Sequence, residues 1–84
     1  MSKHQKLIQQ ILSGRADANI RFDELRALLI HLGFSERTRA SHHNFRRVGL
    51  EEKLNLQCDG SKAKAYQVKQ IRAVILKYQL GADE

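Results

Sequence analysis

The chain has 84 residues, a net charge of +6 and a single cysteine. At this length it buries only about 60–65% of its unfolded surface, so it has room for one domain and none for a deep cofactor cavity. Cys58 cannot form an internal disulfide and suits a reducing compartment. The longest apolar runs, 27–30 and 73–76, fall far short of the ~20 residues that span a bilayer. The opening Met1-Ser2-Lys3-His4-Gln5-Lys6 has no apolar signal core, so a soluble cytoplasmic protein with no membrane partner is expected.

The charge is unevenly spread. Between Arg37 and Arg72 nine basic residues face three acidic ones, which leaves the remainder of the chain neutral. A localised basic field of this kind points to a polyanion, most often nucleic acid.

In chain order, Leu7, Ile8, Ile11 and Leu12 make one helical stripe over Lys3 to Leu12, and Gly14 stands where a left-handed residue would end that helix. Arg15 to Asn19 reads as a connector. Asp23 is a suitable N-cap for a second helix, with Leu25, Leu28, Leu29 and Leu32 on one stripe, His31 off it at the surface, and Gly33 as the stop. The pattern then turns extended. Phe34 to Ala40 reads as an edge strand guarded by arginines. Ser41 to Val48 reads as a central strand, Gly49 as a turn, and Glu52 to Cys58 as a third strand with Leu54, Leu56 and Cys58 on one face. Asp59 to Ala65 is either a flexible basic connector or a phosphate clamp built on Lys62 and Lys64. Tyr66 to Leu80 is the last helix, striped by Val68, Ile71, Ile75 and Tyr78 with Val74 beside it, and Gly81 to Glu84 is a frayed tail.

The fold class expected is therefore α+β: a three-stranded antiparallel sheet with helices on one face, within one domain over 1–84. Side chains of a strand alternate between faces. If Phe45 faces the core, then Ser41 and His43 do so too, while His42, Asn44 and Arg46 face outward. An exposed imidazole among cations suits RNA transphosphorylation, which needs proton transfer at the ribose 2′-hydroxyl and at the departing 5′-oxygen. Arg39, Arg46 and Lys62 or Lys64 would stabilise the phosphate charge. Adjacent histidines of a strand point opposite ways and no C-x-x-C or H-x-x-x-H pair occurs, so neither metal nor cofactor is expected.

The segment Leu32-Gly33-Phe34, then Arg39-Ala40-Ser41-His42-His43-Asn44-Phe45-Arg46, a basic loop and the Tyr66-Gln67-Val68-Lys69-Gln70-Ile71-Arg72 helix resembles the HicA family of bacterial toxins. That resemblance covers about 21–80, with 1–20 as an N-terminal helical extension and 81–84 as tail. It implies a fold like the double-stranded-RNA-binding domain and a metal-independent mRNA ribonuclease. The motif histidine falls at His42, and the partner is an acidic antitoxin of the HicB type. Arg39, Ser41, Arg46, Lys62 and Lys64 then form the candidate RNA-binding set. The family's Gly-Ser-His run has Ala40 at the glycine. If this position needs positive φ, a methyl group there costs about 1 kcal/mol. Two other readings stay open: an RNA-binding module that does not cut, and DNA binding through Arg26 or the Lys69–Arg72 helix.

Overall fold

The computed structural model describes residues 2–81. Helix α1 spans Lys3–Ser13. Ser2 caps it by accepting the Gln5 N–H at 3.1 Å, and Gly14 closes it at φ 71° by donating to the Ile11 carbonyl. Leu7, Ile8 and Ile11 are buried, whereas Leu12, expected on the same stripe, is exposed. A 3-10 turn at Asp17–Asn19 leads to helix α2, Phe22–His31. This helix starts earlier than expected, with Arg21 rather than Asp23 as its cap residue. The backbone before it is fixed from outside: Phe22 N–H donates to the Ser61 carbonyl and Ala63 N–H to the Ile20 carbonyl. Asp23 sits inside the first turn, where a carboxylate favourably meets the positive end of the helix. The Arg21 guanidinium holds its carboxyl below the usual range.

Strands β1 (Ser35–Arg39), β2 (His42–Arg46) and β3 (Leu54–Leu56) form an antiparallel sheet in the order β1-β2-β3. The expected meander is present, but each strand is shorter at both ends than expected, and two of these differences move named residues. Ser41, expected on the strand facing inward, lies with Ala40 in the two-residue turn between β1 and β2 and is exposed. Cys58, expected on the inner face with Leu54 and Leu56, is exposed and belongs to another pair of strands. The physical reason is Gln67 on the last helix, 2% exposed, whose Oε1 accepts the Gln57 N–H at 2.8 Å and so takes the chain out of the sheet.

The stretch expected as a flexible loop is instead a small hairpin, β4 (Cys58–Asp59) with β5 (Lys62–Ala63), turning at Gly60 with φ 66°. Helix α3 then runs Ala65–Tyr78 and ends two residues before the expected Leu80. Gln79 adopts a left-handed conformation, φ 52°, and this returns Leu80 to the core. The tail expected at Gly81 to Glu84 lies outside the described residues beyond Gly81.

One hydrophobic cluster joins all three helices to the sheet, including Leu7, Ile8 and Ile11 of the N-terminal extension. Phe45, Leu54 and Leu56 supply the sheet's share, and burying each such side chain stabilises by about 1.5–3 kcal/mol. Arg72 of α3 fastens the extension further, donating to the Ile11 carbonyl at the C-terminal end of α1 and to Asp17 at 2.9 Å. Glu52 ties the approach to β3 onto α3 by accepting from Tyr78 Oη at 2.6 Å and Lys77 Nζ at 2.9 Å, which lowers its pKa. Among the described residues no helix is long and apolar enough to cross a membrane.

Candidate functional site

The register sorts the sheet residues onto two faces, because cross-strand partners share a side. Glu36, Phe45 and Leu54 form one inner row, and Thr38, His43 and Leu56 another. On the outer face Arg39 stands opposite His42, Arg37 opposite Asn44, Asn44 opposite Asn55, and Ser35 opposite Arg46. His42 is exposed, and Phe45 completely buried, as alternation requires.

The His42 ring is contacted at both nitrogens. Nδ1 lies 3.4 Å from Asn55 Nδ2, and Nε2 lies 3.3 Å from Gln57 Nε2. Asn55 Nδ2 also donates to Asn44 Oδ1, and Gln57 Oε1 accepts from Lys64 Nζ at 3.2 Å. An amide N–H is a donor, while a neutral imidazole has one accepting nitrogen, so the ring accepts from only one of the two amides at a time. Both contacts are long for hydrogen bonds, and a substrate group can displace them. The nitrogen that accepts carries the lone pair a general base would use. Lys64 is thus linked to His42 through a single glutamine, and the backbone of that glutamine is anchored by buried Gln67.

The other candidates divide. Arg39 is the cross-strand partner of His42. Arg46 is four residues further along β2, about 13 Å away. It lines an open groove of about 740 Å³ together with Arg37, Thr38, Arg39, Asn44 and Lys53. Ser41 is in the turn beside His42. Lys62 is not drawn to the histidine: its ammonium donates to Asn19 Oδ1 at 3.0 Å, at the 3-10 turn. Arg37 and Lys53 were not among the sequence candidates, although Arg37 shares the parity of Arg39 on β1. Among the described residues Arg37, Arg39, Arg46 and Lys53 have no ion-pair partner.

The turn that presents His42 has an unusual backbone. Ala40 has φ 55°, and Ser41 is not in the left-handed region, which is the φ pattern of a type II′ turn with glycine's place taken by alanine. The condition under which Ala40 would be strained is therefore met.

Behind the sheet, His43 is held differently. Its Nδ1 lies 2.9 Å from Glu36 Oε2, and its ring meets Phe22 edge-on at 4.8 Å. Arg26 Nε contacts both Glu36 oxygens, at 2.8 and 2.7 Å. The Arg26 guanidinium is the main cause that depresses the Glu36 carboxyl pKa, with His43 adding to it against the opposing effect of burial. Arg26 and Arg72, two of the cations on which a DNA-binding reading would draw, are each paired with a carboxylate. Among the described residues no group of three or more histidine, cysteine, aspartate or glutamate side chains is gathered as a metal ion would need. Comparison with protein-family models, curated proteins and solved structures gives no match.

Proposed function

We propose that this chain is a ribonuclease of the HicA toxin type, cleaving mRNA at His42. The observation that carries the reading is the exposure of His42 on the open sheet face, directly across from unpaired Arg39 and one glutamine from Lys64. In this mechanism RNA lies over the outer face. His42 takes the proton from the ribose 2′-hydroxyl or delivers one to the departing 5′-oxygen. Arg39 and Lys64 stabilise the five-coordinate phosphate, and Arg37, Arg46 and Lys53 hold the chain on either side. The order α2-β1-β2-β3-α3 supports the double-stranded-RNA-binding-domain-like reading of the fold, with α1 and the β4–β5 hairpin as additions. The reading includes a cytoplasmic setting and an acidic HicB-type antitoxin that silences the enzyme by covering this face.

Purified protein should cleave RNA equally with and without EDTA and leave a 2′,3′-cyclic phosphate. His42→Ala should lower the rate about 10²–10⁴-fold, the usual size of one proton-transfer contribution, without changing the melting temperature. A requirement for Mg²⁺, or undiminished cleavage by His42→Ala, would remove the mechanism. A second reading, RNA binding without cleavage, is favoured by one observation: both His42 nitrogens face amides, not a second proton-transfer group. Intact RNA bound with a steep salt dependence would select it.

A further inference from the structure

We infer that β1 is a docking edge for an extended acidic segment of a partner protein, which adds to the sheet as a fourth, antiparallel strand. Among the described residues β1 is the outermost strand, paired only with β2, and four of its five residues are exposed. Its hairpin closes at Arg39 and His42 through two residues. In such a hairpin the closing pair exchanges both hydrogen bonds, and the pattern alternates from there. Ser35, Arg37 and Arg39 therefore bond to β2, and Glu36 and Thr38 turn their N–H and C=O groups to the open edge. Unpaired strand edges are templates for main-chain pairing.

The side chains specify what can pair. Arg37 and Arg39 rise on the outer face at alternate positions, without ion-pair partners among the described residues. A second copy of β1 would bring arginine against arginine, and like charges directly opposed across strands destabilise. A strand with carboxylates at every second residue matches them instead. Its acidic residues would oppose Arg37 and Arg39 at non-hydrogen-bonded positions, where antiparallel Cα atoms approach to about 4.5 Å. Its intervening residues would make the main-chain bonds to Glu36 and Thr38. The inference rests on the proposed function only in taking the partner to be the acidic protein that covers the sheet; the edge itself is independent of any cleavage.

The probe is a short labelled peptide alternating glutamate and threonine, titrated against the full chain and followed by fluorescence anisotropy. N-methylation at the threonines should weaken binding about tenfold or more, because those amides meet the edge, whereas N-methylation at the glutamates should leave it nearly unchanged. Arg37→Glu with Arg39→Glu should weaken binding by a similar factor, with circular dichroism to verify the fold. His42→Ala should bind the peptide as the wild type does, so loss of cleavage and loss of docking are read separately. No binding at millimolar peptide overturns the inference. So does equal binding of a peptide with its glutamates clustered, or indifference to threonine N-methylation, since either result means charge attraction without a strand. If RNA oligonucleotides engage Arg37 and Arg39 while the peptide does not, the edge serves nucleic acid and the proposal is lost.

Discussion

His42 and His43 are neighbours in the chain, yet the sheet gives them opposite surroundings. On the inner face His43 is fixed between Glu36 and Phe22, and Glu36 is in turn gripped by Arg26. On the outer face His42 has two long contacts to amides and stands among cations without counter-charges among the described residues. One face satisfies its polar groups internally; the other leaves donors and positive charge for something outside the chain. Two identical residue types thus differ through strand parity alone, and parity is the property that mutations can test.

The largest difference should come from the pair Phe45→Ala and Asn44→Ala. Phe45 is completely buried, and its truncation should lower stability by about 3–5 kcal/mol in urea unfolding, enough to unfold much of so small a protein. Asn44, one residue away on the outer face, should change stability by less than about 0.5 kcal/mol. Comparable losses at both positions would mean that the outer face is covered.

Glu36→Gln comes next. The amide keeps the shape but meets Arg26 and His43 with a weaker acceptor on one side and a donor on the other, so a loss of about 1–3 kcal/mol is expected. The same group sets a pH dependence. Its folded pKa is depressed, so its contribution is complete above the ordinary carboxylate value of about 4.3 and disappears as pH falls through the lower folded value. The stability gap between wild type and Glu36→Gln, measured by thermal melting, should therefore be wide at neutral pH and narrow progressively as pH falls below the ordinary carboxylate range. A gap that stays constant across that range would show that the carboxylate charge is not what Arg26 recognises.

What could be read from the sequence follows the same division. The α2 stripe, Leu7, Ile8 and Ile11 of the α1 stripe, the Gly14 cap, the antiparallel pairing of β1 with β2 and the outward turn of His42 depend on local pattern and are found as expected, whereas Leu12 is exposed and the turn takes up Ala40 and Ser41. Distant partners decided the rest. The start of α1 is the exception, because its Ser2 cap bonds only three residues along, to the Gln5 N–H. The start of α2 depended on backbone bonds to the Ser61 carbonyl and from the Ala63 N–H, some forty residues away. The strand through Gln57 and Cys58 was cut short by buried Gln67, a polar residue whose role nothing local reveals. Lys62 looked equivalent to Lys64, but β5 carries it to Asn19, while Lys64 reaches the amide beside His42. Spacing within the loop could not separate them.

The smallest expected effect concerns the turn that holds the two faces in register. Ala40 adopts φ 55°, where a Cβ costs roughly 1–2 kcal/mol relative to glycine. Glycine at that position relieves the strain but gives back part of the gain, because the unfolded chain becomes more flexible. The net expectation for Ala40→Gly is a gain of about 0.5 kcal/mol, or roughly 2–4 °C in melting temperature for a domain this size. If the proposed mechanism holds, RNA cleavage should be retained or raised, since His42 follows two residues later and glycine clears the approach to it. A lower melting temperature would mean that Ala40 sits comfortably where it is, and the turn would then contribute no strain to the presentation of His42.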